Sequence, residues 1–318
     1  MAVAELTFGA EDLARPEDQS QLQVVWGRFR RHKLAVAGLG IVIMLFTLAF
    51  IGPSVSPYDS TTIPTGADFA KARYLSPLSS WVDSEGESHF HVLGTDKTGR
   101  DYLTRLMEGG RVSLSLALVV TLLSSAIGIV VGSFSAYYGG WIDSFIMRVV
   151  DFMLTLPTLP IFLSVYTIIP QDSIPGGSIT VLAIIFIAFG WIGDARLSRG
   201  MVLSLRNQEF ADASRAVGAS DARIIARHMI PNAIAPVLVS ATLAVGGVVV
   251  AEAGLSFLGF GVQPPFPSWG NMVLAAQANM MSKPYEVFFP GMAIFLTSLS
   301  FNFIGDALRD ALDPRLKL

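Results

Sequence analysis

The chain contains no cysteine and few charged residues. Without cysteine it can form no disulfide, thiolate zinc site or iron–sulfur cluster, and it has no cysteine nucleophile. Only 15% of its 318 residues are charged and 52% are hydrophobic, whereas a soluble domain usually carries about 25% charged residues. The mean hydropathy of +0.55 therefore predicts an all-α integral membrane protein. The net charge of −3 gives no indication of a nucleic-acid partner.

Six apolar runs approach or exceed the length that crosses a bilayer core, which is roughly 20 helical residues. They cover about residues 34–52, 112–138, 144–169, 178–193, 232–257 and 287–304. Pro157 and Pro160 in the third run should bend its helix. Gly128 and Gly132 form a G-x-x-x-G pair in the second run, a pattern that favours close helix packing. We therefore predict six transmembrane helices.

The distribution of Lys and Arg predicts that both termini lie in the cytosol. With that orientation, fifteen basic residues lie in inner segments, and the two short outer loops hold only Lys283. The long outer loop holds six basic and eight acidic residues, and a loop of this length has little influence on orientation. The acidic, polar N-terminus does not resemble a signal peptide, so the first apolar run is interpreted as a retained anchor.

This topology divides the chain into a membrane core and flanking segments. They are a cytosolic tail (1–33), the first transmembrane helix (34–52), an extracytoplasmic element (53–111), a five-helix core (112–304) that includes a cytosolic loop (196–231), and a cytosolic C-terminal tail (305–318).

A charged segment, RNQEFADASRAVGASDARIIARHMIPN (206–232), lies between the fourth and fifth apolar runs. Glu209 to Val217 consists largely of good helix formers. Gly218 can adopt the left-handed conformation that ends a helix, and Ser220 can cap a second helix. We therefore predict a stiff helix–turn–helix that transmits a push to the membrane helices on both sides of it.

This segment resembles the EAA loop of ATP-binding-cassette importer permeases. The motif positions read Asp212, Ala213 and Ser214, followed by Gly218 and the ending Ile230–Pro231. The chain departs from the usual pattern in three places, because Asp replaces Glu, Ser replaces the second Ala, and His228 stands where an aliphatic residue is usual.

Four further stretches are similar to the C-type permease subunit of dipeptide and oligopeptide importers. They are WGRFRRHKLAVAGL (26–39), LGTDKTGRDYLTRLMEGGRVSL (93–114), AEAGLSFLGFGVQPPFPSWGNM (251–272) and FNFIGDALRDALDPRLKL (301–318). They cover nearly the whole chain in order. The resemblance implies a type I ABC importer permease fold in the bacterial cytoplasmic (inner) membrane.

The resemblance also implies that the charged segment docks on a cytosolic ATPase subunit. The residues implied in this coupling are Glu209, Ala211, Asp212, Ala213, Ser214, Gly218, Ala219, Ile230 and Pro231. The chain lacks the G-x-x-x-x-G-K-[ST] phosphate loop, so ATP and Mg are expected in the partner subunits. We expect this chain to bind no cofactor and no metal and to catalyse no reaction.

The expected partners are a second, homologous permease chain, two cytosolic ATP-binding subunits, an extracytoplasmic substrate-binding protein and membrane lipids. Di- or oligopeptides are the cargo that the resemblance favours. Nickel complexes and oligosaccharides remain alternatives, because similar permeases handle them.

A turn-rich segment lies in the long outer loop. It has two interpretations, a folded cap or a gate that contacts the binding protein. The residues concerned are Gly94, Thr95, Asp96, Gly99, Arg100 and Asp101. We expect Asp96, Arg100 and Asp101 to form a local ion-pair network. The nearby His89 and His91 are too few for a metal site, and surface histidines are more common.

Three charged residues fall within apolar runs. Arg148 and Asp151 are three apart and can pair with each other; they either pack against neighbouring helices or line the inner pathway. Glu252 lies twenty residues into the fifth run, which places it near the outer surface as a mouth or interface residue.

Two other classes of protein fit the sequence less well. A stand-alone secondary transporter would show repeated halves or a carboxylate at the membrane midplane, and neither is evident. An intramembrane enzyme needs convergent catalytic groups, and none of the four histidines lies inside a span.

Overall fold

The computed structural model describes residues 21–312, and helices dominate them. The helices are α1 (Gln21–Arg31), α2 (Lys33–Phe50), α3 (Gly52–Val55), α4 (Gly66–Ala72), α5 (Tyr102–Tyr138), α6 (Gly140–Thr155), α7 (Thr158–Ile168), α8 (Gly177–Leu205), α9 (Glu209–Ala216), α10 (Asp221–Ile224), α11 (Ile230–Phe257), α12 (Trp269–Ala276) and α13 (Pro284–Leu312). Strands β1 (Ser79–Val82) and β2 (Ser88–His91) form an antiparallel hairpin. Residues 1–20 and 313–318 of the two predicted tails lie outside the described residues.

Five of these helices are long and apolar enough to cross a membrane: α2, α5, α8, α11 with the turns before it, and α13. The third predicted span is broken into α6 and α7, which meet at an angle of 90°. The break falls at Leu156, whose extended backbone is the conformation favoured before a proline, and at Pro157. The predicted bend is confirmed. The number of spans is six if the bent pair counts as one.

Two helices extend ten or more residues beyond the apolar runs that predicted them. The α5 helix begins ten residues early, because the Asp101 carboxylate caps it by accepting the Thr104 amide at 2.7 Å. The α8 helix continues to Leu205 although it contains charged residues. Those charges are tolerated because neighbouring helices supply partners: Arg199 makes two hydrogen bonds of 2.6 Å to Asp143 of α6.

The core of the molecule is the contact between α5 and α8, along which the two helices approach closely. A Cβ atom on Gly132 would lie 2.1 Å from the carbonyl oxygen of Ala195, and one on Gly128 would lie 2.7 Å from that of Trp191. The Ser198 hydroxyl donates to the Gly128 carbonyl at 3.1 Å. The predicted packing role of the glycine pair is confirmed, because only glycine leaves room for the facing backbone.

The remaining elements gather at the two ends of the helices. We call the end with α1, α9 and the C-terminal turns of α13 the inner end, following the orientation that the sequence predicts. Phe29 and Ala35 are buried there against Ala307 of α13. The outer end carries the segment 53–101, which includes the β-hairpin and which we call the cap. The short helix α12 lies at the same end.

Substituting Gly132 tests the α5–α8 contact. We expect Gly132→Ala to destabilise the purified protein by about 1–3 kcal/mol, the usual range for overpacking, because the added methyl group meets backbone that cannot move aside. Gly193→Ala on α8 is the matched control, since a Cβ there meets nothing within 4 Å. It should retain or raise stability, because alanine favours a helix by about 1 kcal/mol. Thermal unfolding in detergent measures both, and equal melting temperatures would contradict the assignment.

Candidate coupling element and outer cap

The charged segment folds as a helix, a glycine turn and a second helix that runs into the membrane span. Gly218 has φ of +79°, so the predicted left-handed turn is confirmed. Ser220 occupies the N-cap of α10, but its side chain makes no capping hydrogen bond. A π-helical stretch, Ile225–Met229, joins α10 to α11. The segment and the fifth span are therefore mechanically continuous.

The underside of this segment is bound to the inner ends of the membrane helices by apolar packing. Ala211 of α9, Ile224 of α10 and Met229 are fully buried. They form one cluster with Ala136 at the end of α5 and Val202 near the end of α8. The segment is thus a fixed extension of three helices.

Polar contacts reinforce this attachment. The Tyr137 hydroxyl donates to the Asp221 carboxylate at 2.8 Å. The Arg215 guanidinium lies 5.6 Å from the Tyr137 ring centroid and also donates to the Arg206 carbonyl at 3.1 Å. Arg215 further pairs with Asp212 at 2.7 Å. Because these groups are largely exposed, each contact contributes little energy by itself; together they fix the angle of α9.

The predicted coupling residues divide between the two faces of the segment. Ala211 faces the apolar cluster; Ser214, Ala219 and Ile230 are half-buried; and Glu209, Asp212, Ala213, Gly218 and Pro231 are exposed. Val217, whose side chain is 85% exposed beside the glycine turn, was not among the predicted residues. The available signal was its position next to Gly218. A hydrophobic side chain at the end of a surface helix, beside a tight turn, is exposed to solvent or to a partner. Residues 213–219, which we call the inner tip, thus present small and apolar groups beside Arg215.

At the outer end, the turn-rich segment forms the interior of a folded cap. Five of the six residues singled out there are buried, and Arg100 is half-buried. Thr95 is fully buried, and its hydroxyl accepts the Leu75 amide at 2.9 Å. A Cβ on Gly94 would lie 2.1 Å from the Leu75 carbonyl oxygen. These contacts stabilise the cap, and a contact of this segment with a binding protein stays a prediction.

Asp96 is the electrostatic centre of the cap. Its carboxylate accepts the Thr98 amide at 2.8 Å and the Arg100 side chain at 2.8 Å, and it lies 3.4 Å from Arg105. Burial by itself would raise the pKa of Asp96, but the hydrogen bonds from Thr98 and the charge of Arg100 outweigh it and hold this pKa below its ordinary value of 3.8.

Asp101 does not join that network, so this part of the predicted ion cluster is wrong. Its position as the cap of α5 directs the carboxylate to the Thr104 amide and to His91 Nδ1, which lies at 2.8 Å. Burial raises the pKa of Asp101, but the hydrogen bonds from His91 and Thr104 outweigh it and lower the pKa overall. The expectation of surface histidines is also wrong for His91, which is 3% exposed.

Three side chains at the start of α13 or just before it bind the cap, and their partners there are Tyr74 and Leu75. The Lys283 ammonium donates to the Tyr74 carbonyl at 2.7 Å and lies 4.2 Å from the Tyr74 ring centroid. The Asn279 amide donates to the Tyr74 hydroxyl at 2.9 Å, and the Tyr285 hydroxyl donates to the Leu75 carbonyl at 3.3 Å. Movement of α13 therefore reaches the cap.

One group in the hairpin has the composition of a weak metal site. Ligand atoms of Asp83, Glu87 and His89 lie within 4.8 Å of one another. However, Asp83 already accepts the amides of Glu85 and Glu87 and contacts His89 Nε2 at 3.0 Å. This is the pattern of a turn closed by an aspartate, which explains the residues without a metal.

The charged residues of the third span pair across helices. Asp151 forms an ion pair with Arg196 of α8, so the predicted Arg148–Asp151 pair is wrong. The reason is that α6 lies alongside α8, which brings Asp151 to Arg196 just as it brings Asp143 to Arg199.

Glu252 lies five residues before the end of α11 and is 1% exposed. Its carboxylate accepts hydroxyls from Ser256 at 2.6 Å, from Ser268 at 2.8 Å and from Ser113 at 3.3 Å. These serines belong to α11, to the cap of α12 and to α5. Glu252 therefore joins three elements near the outer end.

Another buried carboxylate, Asp194, was not among the predicted residues, because it follows directly after the fourth apolar run. The structure places it past the middle of α8, 6% exposed, beside a cavity of about 390 Å³ that Ser124 and Thr158 also line. No carboxylate at the membrane midplane is evident from the sequence, whereas the structure buries Asp194 among the core helices. The available signal was that Asp194 is a single acidic residue in a sequence that continues as helix beyond the fourth apolar run.

Comparisons with known proteins agree with this architecture. A family described as binding-protein-dependent transport system inner membrane component matches residues 128–318, and one described as the N-terminal TM domain of oligopeptide transport permease C matches residues 20–77. The dipeptide transport system permease protein DppC of Bacillus subtilis is 35% identical over 97% of this chain and 90% of its own length. The glutathione transport system permease protein GsiD of Escherichia coli O157:H7 is 34% identical over 98% of this chain and 96% of its own length.

A solved structure shares the fold. The inward-facing MetNI methionine ABC transporter matches with a TM-score of 0.52 at 18% identity, covering 66% of this chain and 97% of that chain. At this identity the likeness concerns the fold alone.

Neutralising Asp96 tests the electrostatic basis of the cap. A carboxyl with a lowered pKa stabilises the folded cap above its ordinary pKa and loses this effect as pH falls through the folded-state value. The wild-type cap should therefore resist proteolysis down to pH values below about 3.8, whereas Asp96→Asn should be cleaved faster within residues 53–101 at neutral pH. Asp59→Asn is the matched control, because Asp59 is exposed and bonds to Thr61 nearby. Equal cleavage of all three proteins would overturn the role given to Asp96.

Proposed function

This chain belongs to the family of inner-membrane components of binding-protein-dependent transport systems, and from that membership we propose that it forms half of the translocation pathway of an ATP-driven peptide importer. It is a permease subunit with several membrane-spanning helices. The inner end, which carries α9, faces the cytosol in this proposal, and the cap faces the other side. Since the family is that of a binding-protein-dependent system, the alternative of a stand-alone secondary transporter is not retained.

The coupling role of the charged segment is supported above all by its attachment. Its buried face joins α5, α8 and α11 in one apolar cluster, whereas its opposite face leaves Val217 and Ala213 exposed. A partner that pushes on this tip displaces three membrane helices together. Small side chains at the tip allow a partner's backbone to approach closely.

The partners follow from the same logic. Systems of this family contain ATPase and substrate-binding components. We propose two cytosolic ATP-binding subunits, which hold ATP and Mg, a second homologous permease chain and an extracytoplasmic substrate-binding protein. This chain contributes the mechanical contact and no catalytic group.

Peptides are the cargo that the relatives favour. The names of the relatives at 34–35% identity specify dipeptide and glutathione transport, and glutathione is itself a small peptide. We propose short peptides with a free amino terminus as the substrate class. Uptake of a labelled dipeptide panel by proteoliposomes with the complete complex tests this, and a complex that imports nickel chelates or oligosaccharides but no peptide would replace the proposal.

A charge at the inner tip tests the coupling contact. We expect Val217→Asp to reduce co-purification of the ATPase subunits at least about ten-fold, because burying an unpaired carboxylate in an apolar contact costs more than 1.4 kcal/mol. Ala213→Trp should act in the same direction by blocking close approach.

The matched control for this test is Val82→Asp. Val82 is also an exposed valine, 51% accessible, but it lies on the β-hairpin at the opposite end. Its substitution should leave ATPase association unchanged. Full association of the Val217→Asp and Ala213→Trp variants would remove the coupling role from this tip.

A further inference from the structure

The cavity beside Asp194 lies among four helices of the core. Elements α5, α7, α8 and α11 all contribute to its wall, and its volume is about 390 Å³. Most of the wall is apolar, with three phenylalanines, Phe162, Phe186 and Phe189. Gly190 and Gly247 lie at its exposed edge, so small residues leave the entrance open.

One side of this cavity is polar. Asp194 is 6% exposed and accepts a hydrogen bond from the Ser125 hydroxyl. Thr121 and Ser124 are each 4% exposed, and both hydroxyls have no hydrogen-bond partner among the described residues. A Cβ on Gly190 would lie 2.5 Å from Ser124 Oγ, so glycine at this position lets α8 pack closely against this hydroxyl.

The carboxylate of Asp194 differs from the other acids of α6 and α8 in its charge balance. Asp143 and Asp151 each pair with an arginine, whereas no basic residue within residues 21–312 forms an ion pair with Asp194. A carboxylate in an apolar environment is costly unless a charge or several hydrogen bonds compensate it. The site therefore lacks one positive charge and offers unused acceptors.

A protonated amino group supplies what is lacking. It carries one positive charge and three N–H donors, which match one carboxylate oxygen and two hydroxyl oxygens. A divalent metal ion fits less well, because Ca²⁺ takes six to eight oxygen ligands and usually several carboxylates. The phenylalanines provide an apolar surface for a side chain next to the amino group.

We propose that Asp194, Ser124 and Thr121 bind the protonated amino terminus of a peptide during its passage through the permease. This inference rests on the proposed function and assigns that pathway a site for one end of its cargo. Asp194 supplies the charge, and the two hydroxyls orient the ammonium group.

The absence of cysteine makes the site accessible to a direct test in the full complex with its partner subunits. In a Ser124→Cys variant, the single thiol of this chain faces the cavity. Its rates of modification by a trimethylammonium-bearing and a sulfonate-bearing methanethiosulfonate are measured by mass spectrometry and compared with those of free cysteine. We expect a preference for the cationic reagent of at least about ten-fold, the lower range for an acidic cleft with apolar walls.

Two variants separate charge from packing. Asp194→Asn in the Ser124→Cys background should abolish the preference, whereas Ser125→Ala, which keeps the carboxylate, should retain it. Ser133→Cys is the matched control, because Ser133 is a fully buried serine of α5 that does not line the cavity; it should react much more slowly with both reagents. A preference that survives Asp194→Asn, or that disappears in Ser125→Ala, contradicts the assignment.

Peptide protection identifies the bound group. Alanyl-alanine at millimolar concentration should slow modification at Ser124→Cys several-fold, and N-acetyl-alanyl-alanine should not. Equal protection by both, or protection by a divalent cation alone, overturns the amino-terminal assignment. Uptake by the unmodified complex distinguishes the two levels: absent peptide uptake refutes the proposed function, whereas normal uptake without cation preference refutes only this site.

Discussion

The close approach of α5 and α8 is the contact on which the other features depend. Glycine at two positions of α5 lets the α8 backbone come within contact distance over more than one turn. At the inner end, this brings Ala136 and Val202 together as the floor on which α9 rests. Farther along the same pair of helices, it places Asp194 opposite Ser125. The coupling tip and the buried carboxylate are therefore held by one helix pair.

Charged residues of the membrane helices are compensated by partners on other helices. Asp143 and Asp151 of α6 pair with two arginines of α8, and Glu252 is surrounded by hydroxyls from three elements. Such contacts keep a broken span in register with its neighbours, because separation of the helices would leave an unpaired charge in an apolar medium. Asp194 has a single hydroxyl partner, Ser125, and no arginine, and this makes it a candidate for contact with cargo.

The two ends of the molecule are built for different tasks. The inner tip has a buried face that is fixed to three helices and an exposed face with small and apolar groups. The outer cap buries a cluster of charged and hydroxyl groups around Asp96 and Thr95 and is anchored to α13 through Tyr74. A displacement that begins at the inner tip can reach the cap through α11 and α13, which pack against each other through Gly246 and Ser298.

Features that depend on local chemistry could be predicted from the amino-acid sequence. The apolar runs gave the membrane class and the helical spans, Pro157 gave the bend, and Gly218 gave the left-handed turn, because each follows from hydropathy or backbone preference within a few residues. Which charged side chains pair with each other depends on how the helices pack, and local sequence does not specify it. Asp151 selects Arg196 over the nearby Arg148, and Asp143 meets Arg199 at a separation of 56 residues. The burial of Asp194 and His91 was decided in the same way, because a side chain's environment depends on helices and strands that lie far away in sequence.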